Sequence, residues 1–309
     1  MPSVLVADPV DSLLLRLLSE RGFEVEYKPK VSREELLREA HRFDVLVVRS
    51  RTRVDSELLK AATSLKVVAR AGAGLDNIDL EAARRLGVKV VYSAGASQSV
   101  AELTIGLLVA AFRMIPLYDR LVKLGEWPKG RYPGRELAGK TLGVIGFGRI
   151  GSRVAKLAKA LGMHVLAYDK RDIAGEAREA GAEPSSLSYL LSESHAITLH
   201  VPLTRETYRM ISWRELEAMR DGAVLVNTSR GAVVDGRALL SALNSGKLAA
   251  AAVDVLEHEP PKESWEKELI AHPKVIATPH IGAETSEARR RIAAELAEAI
   301  ARELGDELG

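Results

Sequence analysis

The chain has 309 residues, with 44 Lys and Arg against 42 Asp and Glu, a formal net charge of +2, 47% hydrophobic and 28% charged residues, and no cysteine. So balanced a charge gives no reason to expect nucleic acid or an anionic membrane as partner, and the missing cysteine excludes disulfides, thiolate catalysis and cysteine-ligated metals. The length suggests two domains, no apolar run is long enough to span a bilayer, and Met1–Asp8 lacks the layout of a signal peptide, so a cytoplasmic location is expected.

From the N-terminus, apolar runs alternate with helical patterns. Val4–Ala7, Glu24–Tyr27, Val45–Arg49, Val67–Ala71 and Val88–Tyr92 read as strands, and Ser12–Arg21, Arg33–Arg42, Asp55–Ala62 and Leu80–Leu86 as helices. Strands alternating with helices predict a parallel sheet covered on both faces. Val67–Ala71 runs into Gly72-Ala73-Gly74-Leu75-Asp76-Asn77. That turn is either a ligand-facing loop at the carboxyl end of a parallel strand or a turn needing positive φ. Ser93–Ser99 is small and polar and reads as a linker or hinge. Val100–Phe112 is predicted as a helix apolar nearly all round, interrupted by Pro116, with an amphipathic stretch following to Leu124. Trp127–Gly139 is loop-like.

Thr141 to Asp169 organises the rest. Thr141–Ile145 suits a buried strand, Gly146-Phe147-Gly148-Arg149-Ile150-Gly151 follows at once, and a helix then carries Ile150, Val154, Leu157 and Leu161 on one face. Gly162 stops it, and Met163–Tyr168 supplies a second strand ending at Asp169. A glycine pattern between strand and helix, with an acid at the end of the next strand, predicts a dinucleotide site. Gly146 allows the turn, Gly148 the approach of a pyrophosphate, and Gly151 close packing, while the helix N-terminus offers N–H groups to the phosphates. Asp169 would accept the ribose hydroxyls and repel a 2′-phosphate, which favours NAD over NADP, although Lys170 and Arg171 stand beside it. Beyond it, Leu187–Leu191, Trp213–Met219, Gly236–Ser245 and Glu284–Leu304 read as helices, and Ala196–Val201, Val224–Asn227, Ala249–Val255 and Val275–Ala277 as strands.

Three of those strand ends lead to Arg230, Glu259 and His280. Oxidising a secondary alcohol needs a base for the hydroxyl proton and a cation for the developing charge, and a carboxylate beside a histidine sets its tautomer and raises its pKa. A lone histidine after a proline is more often a capped or packed side chain than a catalyst. His200 ends a strand and reads as a wall residue that could touch the cofactor.

At these residues the chain resembles the NAD-dependent D-2-hydroxyacid dehydrogenases. The likeness rests on Asn227-Thr228-Ser229-Arg230-Gly231, Asp254-Val255-Leu256-Glu257-His258-Glu259-Pro260 and Thr278-Pro279-His280-Ile281-Gly282, downstream of the glycine pattern, and covers essentially the whole chain. It implies two doubly wound α/β domains with a cleft between them: a Rossmann-type cofactor domain over residues 97–283, and a flavodoxin-like substrate domain formed by 1–96 with 284–309. It implies His280 as acid/base, Glu259 as its partner and Arg230 as the group that orients the substrate carboxylate. NAD would be held by Gly146, Gly148, Arg149, Ile150, Gly151, Asp169, Pro202, Thr228 and Asp254, the last at the nicotinamide carboxamide. It also implies a homodimer through the cofactor domain around Val100–Leu124.

Within the family, Val47–Thr52, Val67–Asp79 and Ser99–Thr104 are most similar to the phosphoglycerate dehydrogenases. By that likeness the N–H groups of Ala73 and Gly74 hold a substrate carboxylate. Arg49 and Arg70 reach a phosphate, with Lys129 or Arg131 of a partner subunit; ordinary ion pairs are the other reading of the two arginines. The expected reaction is oxidation of D-3-phosphoglycerate in serine biosynthesis. The rivals are a glyoxylate or hydroxypyruvate reductase and, in another class, an NAD-sensing co-repressor-like binding protein. Ending at Gly309, the chain is expected to lack a serine-binding regulatory domain.

Overall fold

The computed structural model describes residues 1–305, which divide into two compact units: Met1–Ala96 with the chain from Ala283 onward, and Ser97–Gly282.

The first unit alternates β1 (Ser3–Val6), α1 (Ser12–Glu20), β2 (Glu24–Tyr27), α2 (Arg33–Glu39), β3 (Val45–Val48), α3 (Ser56–Ala61), β4 (Val67–Arg70), α4 (Leu80–Arg85) and β5 (Lys89–Tyr92). The strands form one parallel sheet in the order β2-β1-β3-β4-β5, the flavodoxin-like arrangement. Central β3 is Val-Leu-Val-Val and buried throughout, as a strand covered on both faces must be. Asp11, Ser32, Asp55 and Asp79 each cap a helix by accepting a backbone N–H. The predicted helix over 33–42 is α-helical to Glu39 and closes in a 3-10 turn, Ala40–Arg42. A last helix, Ser286–Glu303, capped by Thr285, returns to this unit and packs on α1.

The second unit contains α5 (Ser97–Arg113), α6 (Ile115–Lys123), β6 (Thr141–Ile145), α7 (Arg149–Ala160), β7 (His164–Tyr168), α8 (Ala174–Glu179) and β8 (Glu183–Pro184). It continues with α9 (Leu187–Glu193), β9 (Ala196–Leu199), α10 (Trp213–Ala218), β10 (Ala223–Asn227), α11 (Gly236–Asn244), β11 (Leu248–Val253), α12 (Ser264–Ala271) and β12 (Val275–Ala277), so the last helix is α13. Its seven parallel strands run β12-β11-β10-β9-β6-β7-β8. The chain leaves β6 toward β7 on one side and toward β9 on the other, so the β6/β9 junction is the point where ligands of such sheets sit. One face of the sheet, with Leu142, Val144 and Val226, packs with Leu108, Phe112, Val154 and Ala158. The other, with Ile145, Ile197 and Leu225, packs with Leu239, Leu243 and Trp265.

Four expectations change. The stretch predicted as linker is already helical from Ser97, because Ser97 and Ser99 are buried and the Ser99 hydroxyl donates to the Gly282 carbonyl at 2.7 Å; their small size serves close packing. Pro116 does not interrupt a helix. The break is at Met114, left-handed at φ 52°, and Pro116 lies in the first turn of α6, where its missing N–H costs nothing. Leu161 is 42% exposed and outside the core, since α7 ends at Ala160 and the apolar stripe with it. Finally α8, β8 and α12 have no counterpart in the sequence reading, being short and rich in charged residues.

Candidate active site

The glycine turn after β6 has the geometry of a nucleotide cradle. Gly146 is left-handed at φ 91°, and a Cβ there would lie 2.6 Å from the His200 carbonyl oxygen; one on Gly151 would fall 2.1 Å from the Gly146 oxygen. Neither position accepts a side chain, so β6, β9 and α7 meet backbone to backbone. Gly148 faces open space, and no side chain caps the α7 N-terminus, which leaves its first N–H groups and positive dipole end to an anion. Arg149 and Ile150 continue this first turn. Asp169 accepts from the Phe147 N–H at 2.8 Å, which fixes it beside the glycine turn, and from the Arg171 N–H at 3.1 Å and Nε at 3.2 Å. Burial alone would raise its pKa; the two backbone donors and the Arg171 guanidinium outweigh that and hold it below the usual carboxylate range. Arg171 therefore screens the charge of Asp169.

Beside Gly146, both ring nitrogens of His200 and the Thr198 hydroxyl are buried without a hydrogen-bond partner. Burial pushes the His200 pKa down to about 3, so the ring is neutral. Buried polar atoms left unsatisfied at the end of β9, the strand that pairs with β6 ahead of the glycine turn, fit a site built to receive a polar ligand. The Thr228 hydroxyl lies 2.9 Å from that of Thr104 on α5. Pro202 is exposed, its carbonyl accepting from Thr207.

The ends of β10, β11 and β12 bring the three predicted motifs into one framework. Asn227 shapes the first loop, accepting from the Ser229 N–H and hydroxyl and donating to the Arg230 carbonyl at 2.9 Å. The Arg230 guanidinium donates to the Ser229 carbonyl at 2.7 Å. A Cβ on Gly231 would fall 2.0 Å from the Leu256 carbonyl carbon, so the Arg230 loop lies directly on the loop that carries Glu259.

Asp254, 1% exposed, is bonded to the loop that follows β12. Its Oδ1 accepts from the Thr278 hydroxyl at 2.6 Å and the Ile281 N–H at 2.8 Å, and its Oδ2 from the Gly282 N–H at 2.9 Å. Its carbonyl accepts the His280 N–H at 2.8 Å. The Thr278–Gly282 loop thus folds around one buried carboxylate with His280 at its apex, in the left-handed region at φ 56°, a conformation unusual for a non-glycine residue. His280 Nδ1 lies 2.7 Å from Glu259 Oε2, while Glu259 Oε1 accepts the Leu256 N–H at 3.2 Å. Both side chains are about one-third exposed, 35% and 39%, so the pair is open to a substrate. With Nδ1 on the carboxylate, Nε2 is left to exchange a proton. The dyad borders a concavity of about 420 Å³ walled by Leu256, Pro260, Pro261, Ile270 and Pro279.

In the first unit, the register pairs Val48 of β3 with Arg70 of β4, so Arg49 and Arg70 emerge from neighbouring strand ends. Buried Asp8 accepts the Arg49 N–H at 2.6 Å, and Asn77 donates to the Arg49 and Thr52 carbonyls, fastening the Ala73–Gly74 turn to the end of β3. Glu284, unforeseen from sequence, pairs with Arg49 and with Arg289. Burial raises its pKa, and the two guanidiniums overcome this and keep it ionised. Arg70 donates to the Ala71 carbonyl, over Gly72, where a Cβ would collide with its guanidinium. Lys129 and Arg131 are exposed on the loop after α6, Arg131 lying 3.5 Å from Glu126.

Comparison with known proteins agrees with this arrangement. The family model for the D-isomer specific 2-hydroxyacid dehydrogenase NAD binding domain matches residues 105–282. A D-3-phosphoglycerate dehydrogenase of Archaeoglobus fulgidus is 46% identical over 298 residues, 96% of this chain but 56% of that protein, so the chain spans little more than half of it. A hydroxypyruvate reductase of Thermotoga maritima is 44% identical over 301 residues, 97% of both chains. The crystal structure of D-lactate dehydrogenase from Aquifex aeolicus, complexed with NAD and lactic acid, superposes with a TM-score of 0.86 at 33% identity, covering 99% of this chain and 96% of that one. Fold, glycine cradle and the three strand-end motifs together make this chain a member of the D-isomer specific 2-hydroxyacid dehydrogenases, NAD-dependent oxidoreductases.

Proposed function

We propose that the protein oxidises D-3-phosphoglycerate to 3-phosphohydroxypyruvate, as a homodimer in the cytoplasm. The His280–Glu259 contact at 2.7 Å carries the chemical part of this reading. His280 Nε2 takes the proton of the C2 hydroxyl. Glu259 holds Nδ1–H toward itself and steadies the imidazolium that results, which also serves as acid in the reverse direction. Arg230 binds the substrate carboxylate and draws charge from the C2 oxygen. Gly146, Gly148, Arg149, Ile150, Gly151 and Asp169, with the neighbouring Pro202, Thr228 and Asp254, would hold NAD, which would supply the acceptor for the C2 hydride.

The phosphate reading rests on Arg49 and Arg70, two guanidiniums from adjacent strand ends beside the Ala73–Gly74 turn, because a phosphate dianion calls for several charge-assisted donors. Lys129 and Arg131 of a partner subunit would add charge. A second reading, reduction of hydroxypyruvate or glyoxylate, is favoured by one observation: Glu284 already engages Arg49, which lowers the positive charge left for a phosphate. Initial rates with a panel of D-2-hydroxy acids, phosphorylated and not, separate the two. Preference for D-3-phosphoglycerate supports the first, and equal or better rates with glycerate or glycolate support the second. The dimer is inferred from α6, which buries no residue in the single chain and exposes Ile115 and Val122, with Leu124 and Trp127 just beyond. Among the described residues no single helix is long and apolar enough to cross a membrane.

A further inference from the structure

Glu266 is the most deeply buried acid near the dyad and has no place in the reaction described above. It stands in the first turn of α12 with its side chain 0% exposed. One carboxylate collects four contacts: its Oε2 accepts the N–H groups of Glu263 at 3.0 Å and Lys262 at 2.9 Å and lies 3.2 Å from the His258 Nδ1, and its Oε1 accepts the His258 N–H at 2.9 Å. Capping α12 requires only the Glu263 N–H. The bonds to residues 258 and 262 serve the loop instead, and Glu259 is the residue between them that faces His280. Glu257, the other acid of the segment, lies 3.4 Å from Arg209.

From this arrangement we infer that Glu266 is a positioning residue: it ties both arms of the 258–263 loop to one fixed point and so holds Glu259 against His280. This rests on the proposed role of the His280–Glu259 pair. The carboxylate of Glu259 is about 39% exposed and has only the Leu256 N–H and the imidazole to aim it. Its direction therefore depends on the loop, and the loop's anchor is Glu266. Burial would raise the Glu266 pKa, but the three backbone donors and the His258 ring outweigh it, so the anchor stays charged and its hydrogen bonds keep the strength of charge-assisted ones.

The test is Glu266→Gln in the full chain, assayed with NAD and the best D-2-hydroxy acid of the panel. Gln can keep one oxygen in place but presents N–H to backbone N–H at the other. The expected result is a kcat/KM lower by roughly 10-fold with the KM for NAD unchanged. The loss falls on kcat, with the KM for the hydroxy acid changed less than about 2-fold, because a misaimed Glu259 fails the proton transfer and not the binding of substrate. In a Glu259→Gln background the same change should cost less than about 2-fold, because two groups acting through one contact are not additive. A lower melting temperature with kcat and kcat/KM unmoved overturns the inference, as do losses that multiply in the double variant. Should Glu266→Gln fail to fold, His258→Ala removes only the 3.2 Å ring contact at a 40% exposed residue; it should lower kcat about 2- to 3-fold with KM unchanged, and an unchanged kcat overturns the proposal. Full turnover by His280→Ala would instead refute the reading on which the inference rests.

Discussion

Asp254→Asn separates a carboxylate that holds the His280 loop from one that only meets a cofactor. The acid accepts three hydrogen bonds while 1% exposed. The amide keeps most by placing its oxygen at the Oδ1 site, where the Thr278 hydroxyl and Ile281 N–H arrive, but its NH₂ then faces the Gly282 N–H. One charge-assisted bond is lost and buried donors are left unmatched, a cost of about 2–4 kcal/mol. For a unit of this size each kcal/mol lowers the melting point by about 2–4 °C, so a loss of about 5–15 °C is expected. All three tryptophans, Trp127, Trp213 and Trp265, lie in the second unit, so selectively excited tryptophan fluorescence follows its unfolding, whereas Tyr27 and Tyr92 of the first unit would contribute to unselective excitation. Turnover should fall as well, since the apex His280 is fixed through the same loop. A shift below about 2 °C with undiminished kcat would show that Asp254 does not hold the loop, and the positional account of His280 would be wrong.

Arg49→Ala removes one charge-assisted anion contact, worth about 2 kcal/mol, and should raise the KM for D-3-phosphoglycerate by ~30-fold while changing that for an unphosphorylated hydroxy acid far less; equal effects would remove the phosphate assignment. Asp169→Ala deletes the ribose acceptor and frees Arg171, so kcat/KM should fall about 10-fold with NAD and rise with NADP; an unchanged ratio between the cofactors would count against the cradle as drawn. Val122→Glu on the exposed side of α6 should turn a dimer into a monomer by light scattering, and a wild-type protein that is monomeric at micromolar concentration would refute the dimer.

Much of this was legible in the chain because the periodicities and turn chemistry agree. Strand β6 is found where its apolar run predicts, to the residue, and Gly146 and Gly151 have the turn and the close packing that their spacing implies. The ends of β10, β11 and β12 were readable because buried parallel strands are apolar and their ends stand out, while Arg230, Glu259 and His280 beyond them were picked out by the resemblance of their motifs. What sequence could not supply were partnerships across distance. The hold of Asp254 on residues 278–282, of Glu284 on Arg49, and of Thr104 on Thr228 links positions 24 to 235 residues apart, and no local pattern marks them. Glu266 was hidden twice over, being a surface-type residue on a short helix, Ser264–Ala271, whose charged composition conceals its buried face. Met114 shows the opposite error: Pro116 drew attention as the breaker, whereas the left-handed residue two positions earlier ends the helix.

The most direct measurement is of His280→Ala: steady-state oxidation of the preferred D-2-hydroxy acid alongside the dissociation constant for NAD. Loss of general base and acid should lower kcat by about 10²–10⁴-fold while NAD binds as before. A variant that keeps its kcat, or that loses NAD binding in step with activity, would contradict the assignment of His280 as the proton-transferring group.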